Sequence, residues 1–218
     1  MATATLQATG PAATLLALVA LDGTAAADHA RALLSPATPM RDVADAIHAL
    51  CVLHGAFPGI VDQAQSGCDD AEVAPWLIEA ADAMANERSL LARLTAAVGP
   101  LPSTPGQAAS QNAVLAQRHA LEMLARSDRA GCAAGTAIAF VLDWQAVRAV
   151  LDAGAERIGV PMGPDFAPVV RRARDLLERL APAPAAQRAM VFGAQQMLAQ
   201  HRGLWHLLEA RASARRDK

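Results

Sequence analysis

From Arg41 onward, apolar residues recur at three- and four-residue steps, and no segment shows a sustained alternation of β-branched and polar positions. Residues spaced in this way share one face of a helix, so the pattern predicts an all-α chain. Before Arg41 the Ala/Thr-rich stretch Ala2 to Leu34 predicts two short helices, over Ala12 to Leu21 and near Asp28 to Leu34, closed by Ser35, Pro36 and Pro39. The next helix runs from about Arg41 to His54 and stops at Gly55, and a shorter one restarts after Pro58 and reaches about Ser66. Asp69 and Asp70 open a long helix to Val98, with Pro75 tolerated only near its start. The stretch Gly99 to Gly106 carries three prolines and reads as a loop between two helical halves. Beyond it the pattern gives helices over about Gln107 to Ser127, Asp128 to Ile158, Phe166 to Leu180 and Ala186 to Ala212, separated by proline- and glycine-containing breaks.

Several long helices with short connections are most simply satisfied by an antiparallel helical bundle, because short loops place consecutive helices side by side. The expected organisation is a flexible or short-helical segment over residues 1–40, a bundle domain over 41–212 and a basic tail over 213–218. In the last helix, Arg211, Arg215 and Arg216 lie where cations favour the carboxyl end of the helix dipole.

Composition sharpens this picture. Alanine fills 54 of 218 positions, aromatic residues make up 3% and tyrosine is absent, which suits closely packed helices. A net charge of −2 with 18% charged residues lacks the basic excess of a nucleic-acid binder, so no nucleic-acid partner is expected. The apolar stretch Ala12 to Leu21 has no Lys or Arg before it and so lacks the charged start of a signal peptide. The charge-free run Ala130 to Leu142 is thirteen residues long and ends at Asp143, short of a membrane span, so no membrane association is expected. Cys51, Cys68 and Cys132 are odd in number and have no CxxC spacing, which favours free thiols in a reducing cytoplasm. A homodimer is the expected assembly.

Candidate chemistry comes from polar residues that interrupt apolar stripes. Glu87 falls on the stripe of Val73, Leu77, Ala80, Met84, Leu91, Leu94 and Val98, opposite Glu79, Asp82, Asn86, Ser89 and Arg93. Asp143 sits with Phe140, Val147 and Val150, while Gln145, Arg148, Asp152 and Glu156 mark the wet face of the same helix. His201 is bracketed by Met197, Leu198, Leu204 and Trp205, and His54 follows Val43, Ile47 and Leu50. Buried carboxylates need a partner or a metal, since desolvation costs several kcal/mol per ion. Either a structural network forms, with Glu87 facing Arg118 or Arg126, Asp143 an arginine and His201 a carbonyl, or His54, Glu87, Asp143 and His201 are metal ligands in one interior layer. Substrate, reaction and cofactor are not specified by the sequence.

Helices of this length with inward His and carboxylates, together with the segments AMANERSLLARL and RAGCAAGTAIAFVLDWQAVRAVLD, resemble uncharacterised bacterial ferritin-like helical-bundle proteins. That resemblance implies a di-iron bundle built on paired Glu-x-x-His motifs. No Glu here has a His three residues on, Asp45-x-x-His48 occurs once, and the reversed pairs His119-x-x-Glu122 and His206-x-x-Glu209 share faces with polar neighbours. The resemblance therefore implies a member without a complete di-iron centre. A second resemblance, to haem oxygenase-like and TenA-like helical folds, rests on Gly131-x-x-x-Gly135 as a flat-ligand contact, with His48 or His54 as the haem ligand. The alternative function is thus a metal- or haem-dependent oxidoreductase or small-ligand binder. A third expectation is an interaction surface on Phe166 to Leu180, where Arg171, Arg172, Arg174 and Arg179 flank apolar residues. No GxGxxG, P-loop, GxSxG or HExxH motif is present.

Overall fold

The computed structural model describes residues 10–216, and every regular element among them is helical. Nine α-helices follow in order: α1 (Pro11–Asp22), α2 (Asp28–Leu33), α3 (Met40–His54), α4 (Ile60–Ser66), α5 (Ala74–Ala97), α6 (Gln107–Ala125), α7 (Cys132–Ile158), α8 (Ala167–Arg179) and α9 (Pro184–Arg216). A short 3-10 turn, Thr24–Ala26, joins α1 to α2. Residues 1–9, within the expected N-terminal segment, and 217–218, within the expected basic tail, lie outside the described residues.

α7 is the hub. It is buried around most of its circumference from Cys132 to Ala155 and packs against α1, α2, α4, α5, α6, α8 and α9. A helix that is apolar all round belongs inside a fold, which accounts for its composition. By length and composition alone α7 could cross a membrane, but 78% of its most apolar window is buried here by the other helices. The charge-free count that stopped at Asp143 missed this length, because Asp143 itself is buried.

α7 and α9 approach closely through glycine. A Cβ on Gly135 would collide with the Met190 carbonyl, one on Gly193 with the Cys132 carbonyl, and one on Gly131 with the Ala186 carbonyl. The Gly131–Gly135 face is therefore filled by α9, and the reading of this pair as a flat-ligand contact is corrected to helix packing.

The N-terminal helices belong to the same core. Leu15 of α1 and Ala30 and Leu33 of α2 are fully buried beside residues of α3, α7 and α9. The segment set apart as 1–40 thus contributes to the bundle from α1 onward. At the other end α9 continues to Arg216, and Arg215 folds back onto α3 through Asp42 and Asp45.

Candidate functional site

Three of the four inward residues meet in one line. Asp143 of α7 lies 2.6 Å from His201 Nδ1 on α9, and His201 Nε2 lies 3.0 Å from His54 Nε2 at the end of α3. The far side of Asp143 is closed by the 3-10 turn: the Thr24 backbone N–H donates to Oδ1 at 2.6 Å, and the Thr24 hydroxyl donates to Oδ2 at 2.6 Å. Trp205 Nε1–H then donates to the Thr24 hydroxyl oxygen at 2.9 Å. Gly23 permits this approach, since a Cβ there would strike both the Val19 carbonyl and Asp143 Oδ1.

Asp143 and His201 are each 1% exposed, and Phe140 and Trp144 pack around His54 with ring centroids 5.0 and 5.3 Å away. Burial, with the nearby His201 adding to it, holds His54 well below the ordinary imidazole value of 6.5. Chemically this is a hydrogen-bonded line that can pass one proton between the two imidazoles. Its outer end is His54, which lines a cavity of about 20 Å³ with Arg88, Arg118 and Glu122, room for about one water molecule.

Glu87 stands apart from that line. Its Oε2 accepts the Trp144 indole N–H at 2.9 Å and its Oε1 pairs with Arg148 Nη1 at 2.6 Å. Burial raises the Glu87 carboxyl above its usual range, while the Trp144 hydrogen bond and the Arg148 charge pull it back. The partner is neither of the arginines expected: Arg118 pairs with Glu122 on its own helix and Arg126 donates to Gln63. Arg148, expected on the wet face, is buried because the chain after α7 folds over it, and its guanidinium donates to the carbonyls of Pro164 and Gly163 at 3.0 and 3.2 Å.

A second buried network escaped sequence reasoning. Arg211 Nε and Nη2 hold Asp45 at 2.8 Å, Arg215 bridges Asp45 and Asp42 at 2.7 and 2.8 Å, and Thr104 sits against both guanidinium groups. Asp45 and His48 do not act together, since His48 Nε2–H donates to the Gly99 carbonyl at 2.8 Å. His119 and His206 are exposed, as their polar neighbours implied.

Metal and haem fit this arrangement poorly. The Asp143 oxygens and both His201 nitrogens are engaged by protein groups, as are the Glu87 oxygens, and no group of three or more His, Cys, Asp or Glu among the described residues is placed to hold a metal ion. Neither imidazole proposed for haem offers a free Nε2.

Comparison with known proteins places the chain by sequence: the model of a family of unknown function, DUF6975, matches residues 19–216. The chain belongs to that family. The match begins at Val19, so it includes the Thr24 turn as well as every other member of both networks. No curated protein and no solved structure matches the chain.

Proposed function

We propose that this DUF6975 member is a soluble, cytoplasmic, ferritin-like bundle that has no complete di-iron centre and uses its interior His and carboxylate groups to fasten helices in register. One observation carries the reading: each carboxylate oxygen of Asp143 and Glu87 already accepts a hydrogen bond from a protein donor. Those donors tie the carboxylates to neighbouring helices, no group of three or more His, Cys, Asp or Glu among the described residues is placed to hold a metal ion, and a buried network with its polar atoms bonded contributes to fold specificity. The ferritin-like element is supported by inward groups that come one each from α3, α5, α7 and α9. The homodimer remains part of the proposal as the expected assembly.

The test is elemental analysis and an absorbance spectrum on protein expressed in medium supplemented with iron, manganese and zinc and purified without chelator. The proposal expects no stoichiometric metal and no Soret band. One equivalent of iron, manganese or zinc lost on replacing His201 with Ala would overturn it.

A further inference from the structure

Along the stretch of α3 from Val52 back to Asp45, which lies roughly 14 Å from His54, a cleft of about 300 Å³ opens between α3, α6 and α9. Most of its wall is apolar, with Ala49 and Val52 from α3, Leu101 from the proline-rich loop, Val114 from α6, and Leu207 and Leu208 from α9, while Ser110 and Gln111 of α6 stand among its polar residues. That volume is at the small end of ligand pockets, and a mostly apolar lining with a few fixed polar groups is what such pockets present.

The polar groups define the guest. Arg211 lines the cleft while only 6% exposed, and its Nε and Nη2 are committed to Asp45 and Thr104. Its Nη1 takes part in no hydrogen bond among the described residues and is not one of their fully buried unpaired atoms, so it is a donor still within reach of a guest. His48 lines the same cleft, and because a carbonyl can only accept, its bond to Gly99 fixes the proton on Nε2 and makes Nδ1 the acceptor of the neutral ring. The charges beneath are balanced, Arg211 and Arg215 against Asp42 and Asp45, so an ionic guest gains no net attraction from them. A hydroxyl both accepts from an N–H and donates to an imidazole nitrogen, and it carries fewer polar atoms into an apolar cleft than a primary amide, which can do the same.

We propose that the α3–α6–α9 cleft binds a small, uncharged, largely apolar alcohol, its hydroxyl serving the free Arg211 donor and the His48 acceptor. The site is separate from the Asp143–His201–His54 line, and its fate does not depend on whether that line is structural.

The experiment is isothermal titration of the full-length protein with 1-octanol, octanoate and octylammonium as probes. Val52→Trp and Gln111→Trp serve as two independent blocking variants, both at exposed rim positions that tolerate bulk. The expected result is one-to-one binding of octanol, with octanoate and octylammonium weaker by about tenfold or more and octanol binding lost in the blocking variants. Replacing His48 with Phe is expected to reduce the preference for octanol over its ether analogue, 1-methoxyheptane, to near unity. Absence of octanol binding to the wild type overturns the proposal, as does equal binding of octanoate or octanol affinity unchanged by both tryptophans. So does a protein dimer that dissociates on Val52→Trp while octanol fails to bind, which would assign the cleft to a second copy of the chain.

Discussion

The two buried polar networks that join α3 to α9 solve the same problem with different chemistry. One end of the helix pair is closed by Asp143, His201, His54 and Thr24, where a single carboxylate is shared among hydroxyl, amide and imidazole donors. The other end is closed by Asp42, Asp45, Arg211 and Arg215, two permanent cations against two acids. The His-based network contains an imidazole that burial keeps neutral, so its stability is tied to pH near neutrality. The Arg-based network holds no imidazole of its own, and only His29, which feels the charges of Asp42, Arg215 and Asp45, couples it to pH in that range. Burial alone would lower Arg215, yet its hydrogen bonds to Asp45 and Asp42 carry it above its ordinary value, so this cation stays charged across the working range. Two fasteners on one helix pair therefore respond to different stresses.

The largest expected effect is the loss of one acid from the charged network. Asp45→Ala leaves the buried Arg211 without a carboxylate and takes one of two from Arg215, and is expected to lower unfolding free energy by about 3–5 kcal/mol in urea denaturation. Asp45→Asn, which keeps the shape and one acceptor, should cost visibly less. If Asp45→Ala proves neutral, the network is ornamental.

Asp143→Ala comes next, at about 2–3 kcal/mol, since it leaves the Thr24 amide and hydroxyl and the His201 N–H without an acceptor. Its signature is local as well as global: amide exchange at Thr24 should accelerate more than at Asp42. Uniform acceleration would mean that the turn is not held by Asp143.

The pH response separates the two networks most directly. His54 has a folded pKa depressed below its unfolded value of about 6.5, so its contribution is intact above that pH and is lost as pH falls toward the folded value. Each pH unit below 6.5 costs up to about 1.4 kcal/mol from this residue. His29 is also lowered, by burial first and against the pull of Asp42 and Glu209, and acts in the same direction. His54→Gln keeps a donor toward His201 without titrating, so the drop in Tm between pH 7 and pH 5 should shrink in that variant. An unchanged drop would assign acid lability elsewhere.

The smallest effect is the surface control. Arg31 and Asp28 form an exposed pair on α2, and Arg31→Ala should change stability by no more than about 0.5 kcal/mol in denaturant titration. A larger loss would point to its hydrogen bonds with the Ala25 and Ala26 carbonyls, which tie α2 to the 3-10 turn.

Helix positions were legible because the apolar stripes and proline breaks are local signals. α3, α6 and α8 begin and end within about two residues of the expected limits, whereas α5 starts at Ala74 because Asp70 caps a preceding turn at Glu72 and Val73 instead of the helix itself. Inward placement of Glu87, Asp143, His201 and His54 was legible on the same grounds, and all four are buried. Their partners were not. Thr24 lies 119 residues from Asp143, and nothing in an Ala- and Thr-rich stretch marks one hydroxyl as the group that meets it. Arg148 looked solvated because its burial depends on where Gly163 and Pro164 return over α7, a fact of the loop path and not of the helix face. Arg211 and Arg215 looked like dipole partners because their true acids sit on a helix more than 160 residues earlier.

The glycine contacts between α7 and α9 bring two helix backbones together with almost no side chain between them. Such a pair has little room to slide or to admit water, so the two helices behave as one stiff beam to which the others are attached. The expected consequence is that the amides from Thr136 to Leu142, at the centre of that beam, exchange only when the whole chain unfolds.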